Sequence, residues 1–565
     1  FANPLDTLAR VRKFSQPSEK AEPIELLRAG FAFHSRGVVN TKAIQNNLDW
    51  IWPYWVTRQF DPEDVSFVPR AFSFSHINLT HRNWTAVGLP DSRDYGIVDP
   101  RGLVTPFHDS WSIDFWIVDD SGRALFPSKL KEAEQRLDIA GLPQVKTRCR
   151  KGGMSLASSV RSTLAEDGRS RVEVEVEAES DEGAYVVVSL RPYNPEGIQF
   201  IDSIVTDEKR GEWRVNGSYS VSLIGDIEGY QVSNYETGDV SHMIGDFSKQ
   251  VPSIACPAGM ATAAALARIA PGTTRKLRVL ASPEEQIPIR RAREVVRTEE
   301  LAETVWSAVA RKNAALRLDD PRVVELYGQA CSTLTLLAPD DLYPGPYTYR
   351  RFWFRDACLI AHSLLCLGQH EICRRALKRF PERQTASGYY LSQEGEWDSN
   401  GQVLWIYDRY EQLSGDALPE ECYAGIRKAI EWLRKKRIND PDTRHHGLLP
   451  AGFSAEHFGP NDFYYWDDFW AVGGLEAAER LCLRHGDEEL SRSARKLADE
   501  LRKSIETSLE ASPTFRRRGS MPASPNRRMD SGAIGSLVAD YPLQLFAAGD
   551  ERVRASVDWI VENAF

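Results

Sequence analysis

Four short stretches of this chain set carboxylates among aromatic side chains or just ahead of an apolar run with helical spacing. The first, "YTYRRFWFRDACLIAHSLLCLGQ", offers Arg355 and Asp356 directly behind Phe352, Trp353 and Phe354. A guanidinium donates a planar pair of hydrogen bonds and a carboxylate accepts from hydroxyls, so together they can grip neighbouring hydroxyl groups. Aromatic faces beside them suit the CH face of a sugar ring. The pair also reads as a plain helix start, because aspartate in a first turn is favoured by the helix dipole. On this stretch alone both readings stand.

The second stretch, "SQEGEWDSNGQVLWIYDRY", carries Glu396, Trp397, Asp398, Asn400 and Gln402. Capping by Asp398 and a turn at Asn400-Gly401 would explain two of these polar groups and leave Trp397 and Gln402 unexplained. The third, "HHGLLPAGFSAEHFGPNDFYYWDDFWAVGGL", packs Glu456, His457, Asp462, Asp467 and Asp468 among Phe453, Phe458, Tyr464, Tyr465, Trp466 and Trp470. Such a segment fits neither a core nor a solvated face. Burial beside aromatics raises a carboxyl pKa, which is what a general acid working near neutral pH requires. In the fourth, "RRMDSGAIGSLVADYPL", Asp530 reads as a helix N-cap.

Other chemistries lack their signatures. The chain has no GxxxxGK[ST] phosphate loop, no HExxH zinc motif and no GxSxG elbow. Its histidines are dispersed, and "RHH" at Arg444–His446 reads as a surface turn. No metal or organic cofactor is implied.

These residues have to be held by something large. The 565 residues exceed what one core serves, so at least two domains are expected. A net charge of -10 and a pI near 5.7 argue against nucleic acid or an anionic membrane as the main partner. No apolar run approaches the ~20 residues needed to span a bilayer. Eight cysteines without paired spacing point to a reduced, cytoplasmic protein. The chain starts at Phe1 rather than methionine, which leaves open a removed signal peptide. The basic run at 515–528 reads as a solvated loop.

Residues 1–285 show the period of strands. "RVEVEVEAES" alternates strictly, and "AYVVVSLRPYNPEG" and "KLRVLASP" read as more buried strands, separated by turns such as "DDSG" and "SDEG". An antiparallel β-sandwich is the expectation, preceded by an aromatic-rich segment in which only "IELLRAGFAF" and "FVPRAFSFSH" read as strands. Residues 286–297 form a linker. Over 298–565 the period becomes helical, with long polar and aromatic loops alternating with short ones, and no fixed repeat recurs. Helices paired in this way describe a toroid of two helix layers. The predicted architecture is therefore multidomain, β followed by α.

The four motifs also occur in a familiar order. The helical part resembles the catalytic (α/α)6 barrel of glucoamylase-type glycoside hydrolases, with debranching enzymes and α-glucosidases as relatives. "RRFWFRDACLIAHSLLCLG" is similar to that family's aromatic-x-RDA helix start, and "EWDSNGQVLWIYDRYEQLSGD" to its second barrel loop. "HHGLLPAGFSAEHF" with "YYWDDFWAVGGLEAAERL" is similar to its general-acid loop and the helix after it. The resemblance implies cleavage of a terminal α-glycosidic bond, α-glucosidic as the first guess, with inversion. It implies that Arg355 and Asp356 hold the terminal sugar, with Trp353 as a wall of that subsite. Trp397, Asp398, Gln402, Tyr465, Trp466 and Asp468 would shape the rest of the pocket. Glu456 would be the acid. The family's acid usually follows tryptophan and Ala455 stands there instead, so Asp462 and Asp467 remain candidates. An inverting hydrolase needs a second carboxylate roughly 6.5–9.5 Å away, and the resemblance places it beyond Phe565. A disaccharide phosphorylase, an epimerase or lyase, and a non-catalytic sugar-binding protein are the rivals. The expected partner is an oligosaccharide or glycoside, and the oligomeric state is left open.

Overall fold

The computed structural model describes residues 38–40, 42–59, 63, 84–165, 168–195, 197–246, 251–283, 298–347, 350–452 and 461–564. Two compact units emerge. One takes in Leu26–Pro339 and Gly345–Arg350, the other Asp340–Pro344 and Arg351–Phe565. The expected strands over 24–33 and 67–76 and the expected linker lie outside the described residues.

The first unit is built on two antiparallel sheets. The larger runs Ser253–Ala255, Ser203–Asp207, Glu212–Val215, Tyr219–Ile224, Thr273–Pro283, Ser170–Ser180, Met154–Leu164, Gln144–Lys151 and Glu134–Asp138 in spatial order. The centre of the other is Ser112–Asp119, Ala184–Arg191 and Thr262–Ile269, side by side. The alternating run behaves as its period requires. Val172, Val174, Val176 and Ala178 are buried in the common core with Val186, Val188, Ile113 and Phe115 from the facing sheet. Glu175 and Glu177 point the other way, toward Arg161 and Lys276.

Aromatic residues ahead of the sheets join the same core: Trp50, Trp52, Tyr54 and Trp55 are buried there. They are pinned by a fully buried ion pair, Arg191 with Asp239 at 2.5 Å, whose partners also bond the backbone N–H and C=O of Ile51. Helices Thr298–Ala310 and Pro321–Leu336 belong to this unit as well. Ala302, Trp306 and Leu336 close a small core with Leu89, Leu142 and Leu164.

The second unit is helical, in two kinds of helix. Ser399–Ser414 is buried at every position from Ser399 to Asp408, and Tyr465–Arg484 almost as completely. Helices His370–Leu377, Ile426–Lys436 and Glu488–Ala511 bury one stripe and expose the other, so they form an outer layer over the buried pair. The buried pair cross in contact: a Cβ added to Gly401 would lie 2.1 Å from the Trp470 carbonyl oxygen, and one on Gly474 2.4 Å from that of Gly401.

Three local expectations need correcting. Gly401 lies inside a helix and makes no turn, because Asn400 is consumed by the backbone of Tyr390, Gly388 and Ala429. The 515–528 run is no solvated loop throughout. Arg516–Arg518 end a short helix, but Ser520–Ser524 are buried, held by Asp462 and Ser556. His445 of the "RHH" turn is buried too, stacked on Phe463 with centroids 3.8 Å apart. Asp530 does cap, accepting from the Gly532 N–H at 2.9 Å, though what it caps is a 3-10 segment, Ser531–Ala539, that ends before Pro542.

Candidate active site

Three helices of the second unit begin next to one another's functional residues. Helix Phe354–Cys366 supplies Arg355 and Asp356 in its first turn. Its first N–H, that of Phe354, is capped from outside by the Ser392 hydroxyl at 2.8 Å. Asp398 stands at the start of Ser399–Ser414, and Trp466 and Asp467 open Tyr465–Arg484. Helix N-termini carry positive partial charge, so carboxylates gathered there are stabilised.

Asp398 links the three. Its side chain caps nothing. Instead Oδ2 accepts from Arg355 Nε at 3.2 Å, Gln402 Nε2 at 2.9 Å and Trp466 Nε1 at 2.8 Å. Arg355 also meets Glu396 Oε1 at 3.1 Å. One guanidinium thus lies between two carboxylates, and all three side chains are largely buried. Charge-assisted bonds of this kind fix geometry as well as energy. Gln402 keeps its Oε1 buried and without a partner among the described residues, an acceptor left unmatched in the polar knot.

Asp467 is the third carboxyl. It is 4% exposed, and no side chain among the described residues hydrogen-bonds its carboxyl oxygens. Burial, then the neighbouring Asp398 and Asp468, push its pKa well above the ordinary range, against the opposing pull of Arg355. It stands beside two carboxylates that share an arginine, and its surroundings favour its protonated form. Asp468 points elsewhere: it is fully buried, Oδ1 accepts from the Leu449 N–H at 2.8 Å, and burial raises its pKa to about 8. Its bond holds residue 449 in place.

Other predicted residues lie apart from the knot. Tyr465 Oη pairs with Ser508 Oγ at 2.9 Å, toward the Glu488–Ala511 helix. Asp462 is fully subscribed by Ser524 Oγ, Asn526 Nδ2 and its own neighbour's N–H. Its backbone pairs with Gly452 in both directions. Trp397 is in an aromatic stack with Tyr389 and Trp432, and Lys436 Nζ lies 3.5 Å from its ring centroid. That ammonium lies over one face of the indole. Trp353 has the Arg351 guanidinium 5.0 Å from its centroid. Glu456 and His457 lie outside the described residues. Glu396 was legible only as part of a quoted stretch; its two-residue spacing from Asp398 is the signal that both reach one arginine.

No family model and no curated protein matches the chain. Among solved structures, a bacterial glucoamylase complexed with acarbose aligns with a TM-score of 0.61 and 11% identity, over 85% of this chain and 79% of that one. The chain has the glucoamylase fold. The predicted β-sandwich followed by an (α/α)6 toroid is thereby met, and at 11% identity the likeness speaks for the fold alone. A kojibiose phosphorylase from the human microbiome aligns at TM-score 0.39 and 8% identity, over 73% of this chain and 67% of that one. A rhamnosidase from Klebsiella oxytoca with rhamnose bound gives 0.38 and 14%, over 80% of each. Neither of these two bears on the site. Among the described residues no helix is long and apolar enough to cross a membrane, and no cluster of metal-ligating side chains occurs.

Proposed function

We propose that this chain is a glycoside hydrolase that removes a terminal sugar, α-glucosidic bonds first, with inversion. The observation that carries the reading is the polar knot at three converging helix starts: Arg355 between Glu396 and Asp398, with the buried Asp467 beside them. Arg355 and Asp356 hold hydroxyls of the terminal ring, and the unmatched Gln402 oxygen accepts from another. A fixed, dry array of this kind favours a transition state in which positive charge grows on the ring, because its carboxylates need no reorganisation.

Two carboxyls compete for the acid's role. Burial beside Asp398 and the upward shift of its pKa support Asp467; the family resemblance supports Glu456. Asp462 is the weakest of the three, since its oxygens already accept three hydrogen bonds.

The test uses the full-length protein on α- and β-linked gluco-, manno- and galacto-disaccharides, following the anomeric proton of the product by NMR, with and without phosphate. Inverted free sugar from an α-linked substrate is expected. Asp467→Asn and Glu456→Gln are then compared on a natural disaccharide and on a dinitrophenyl glycoside. Loss of the true acid costs about 100-fold or more on the disaccharide and little on the aryl glycoside, whose leaving group needs no proton. A sugar phosphate as product, or no turnover of any glycoside, refutes the hydrolase reading.

A further inference from the structure

We infer that Tyr389, Trp432 and Lys436 are positioning residues for the carboxylates Glu396 and Asp398, and that Trp397 is the handle by which they hold them. The inference rests on the glycosidase reading above for its catalytic consequence, and on side-chain geometry within the helical unit for the rest. Glu396 and Asp398 both reach Arg355, at 3.1 and 3.2 Å. Trp397 stands between them in sequence, and its indole goes elsewhere. It joins Tyr389 and Trp432, whose ring centroids lie 5.8 and 6.1 Å from its own. Whatever fixes that indole therefore fixes the backbone from which both carboxylates hang.

Three contacts do so. Tyr389 and Trp432 stack face to face, with centroids 4.5 Å apart and planes 6° from parallel. The Tyr389 hydroxyl donates to the carbonyl of Glu396 at 2.6 Å and to that of Gln393 at 3.0 Å, which bonds the stack directly to the segment bearing the carboxylates. Lys436 follows Trp432 by one turn of the helix Ile426–Lys436. Its Nζ lies 3.5 Å from the Trp397 centroid and 5.7 Å from that of Trp432. A partly buried ammonium is costly unless it is compensated. Among the described residues Lys436 makes no ion pair, and Glu394 acts on it from beyond contact distance, so the two indole faces are its compensation. The far edge of Trp397 is closed as well: Nε1–H donates to the Ala451 carbonyl at 3.5 Å, and a Cβ on Gly452 would lie 2.7 Å from that nitrogen.

The elements that carry these residues are themselves locked together. Next to Tyr389, Gly388 adopts φ +96° and packs so closely on the Ile426–Lys436 helix that a Cβ there would collide with the Lys428 carbonyl. Asn400, two residues after Asp398, donates to the carbonyls of both Gly388 and Ala429. The stack is thus anchored in the outer helix, and it acts on the site through Trp397 and the Glu396 carbonyl. A misplacement of about 1 Å costs a catalytic array up to about 100-fold in rate. Tyr389, Trp432 and Lys436 therefore act on turnover without touching substrate.

Tyr389→Phe removes the hydroxyl and keeps the stack. Lys436→Met removes the charge and keeps an unbranched stem, while Lys436→Arg restores a cation able to lie on an indole. Two readouts are taken on the full chain. Amide hydrogen exchange over residues 393–398 is expected to quicken about tenfold in Tyr389→Phe and in Lys436→Met, while exchange in Tyr465–Arg484 stays unchanged. On whichever glycoside the wild type turns over, kcat is expected to fall about tenfold in both, with KM within about twofold. Lys436→Arg is expected to return kcat to within about twofold of wild type. Wild-type exchange and wild-type kcat in both Tyr389→Phe and Lys436→Met overturn the inference, and so does a Lys436→Arg protein as impaired as Lys436→Met. If the wild type turns over no glycoside, the glycosidase reading fails, and the exchange measurement still decides the positioning claim.

Discussion

Replacing Asp468 by asparagine should change how the stability of the helical unit depends on pH. Asp468 is fully buried, one oxygen accepting the Leu449 N–H and the other without a partner, and its pKa stands at about 8 against an ordinary 3.8. The folded protein holds this proton more tightly than the unfolded chain does. Its stabilising contribution is thus complete below pH 4 and is lost as pH rises toward 8. Between pH 6 and 8 one such group removes about 2 kcal/mol, taking 1.36 kcal/mol per pH unit and allowing for half-titration at the upper end. Asparagine keeps the acceptor for Leu449 and has no proton to lose in this range. The difference in stability between Asp468→Asn and wild type should therefore widen by about 2 kcal/mol in the variant's favour between pH 6 and pH 8. For a unit of this size that is about 4–8 °C in Tm. Thermal and urea unfolding of both proteins, followed by tryptophan fluorescence at pH 6, 7 and 8, measures the difference directly. Buried carboxyls that do not interact with Asp468 titrate in both proteins and cancel in the comparison; Asp467, which Asp468 helps to raise, does not, so the pair is compared in an Asp467→Asn background as well. Parallel pH profiles would refute the reasoning, since they would mean that Asp468 is ionised in the folded state at an ordinary pKa.

Two further outcomes separate the residues that the fold gathers from those it sends elsewhere. Tyr465→Phe removes a hydroxyl that among the described residues meets only Ser508, so activity should stay within about twofold while stability falls by about 1 kcal/mol in a melt. Gly401→Ala forces a methyl to within 2.1 Å of the Trp470 carbonyl and should destabilise the helical unit by about 3 kcal/mol or more; a melt unchanged from wild type would show that the two helices can separate at little cost.

Much of the architecture is legible in the sequence, because it is set by local periods. The run from Val172 to Ala178 alternates because one face must meet the opposite sheet, and no partner need be known to see it. The helix starts of the site were legible for a similar reason: Arg355-Asp356, Asp398 and Trp466-Asp467 each precede a strong apolar run. Which of their side chains converge was not. Asp398 has the type and place of an N-cap, and only the approach of Arg355, 43 positions earlier, and Trp466, 68 positions later, turns it inward. Asp462 looks like a free acid until Ser524 and Asn526 are brought to it from across the unit. Trp397 reads as an exposed aromatic platform, and only the structure brings Lys436 over one of its faces. Local pattern names the groups; long-range packing decides which of them keep their valences for something else.

The contact of Gly401 with Trp470, and of Gly474 with Gly401, gives the two buried helices a common origin from which the site is measured. Asp398 lies three residues before that origin on one helix, and Trp466 and Asp467 lie within a turn or two of it on the other. Divergence toward a new substrate therefore has little room to slide or retilt these helices, because any side chain at the crossing drives them apart and opens the Asp398–Trp466 bond with them. Change is confined to the loops and to side chains projecting from a frame of fixed dimensions. Substitutions that spare the crossing can remodel the surrounding loops while the ruler between Asp398 and Trp466 stays the same length.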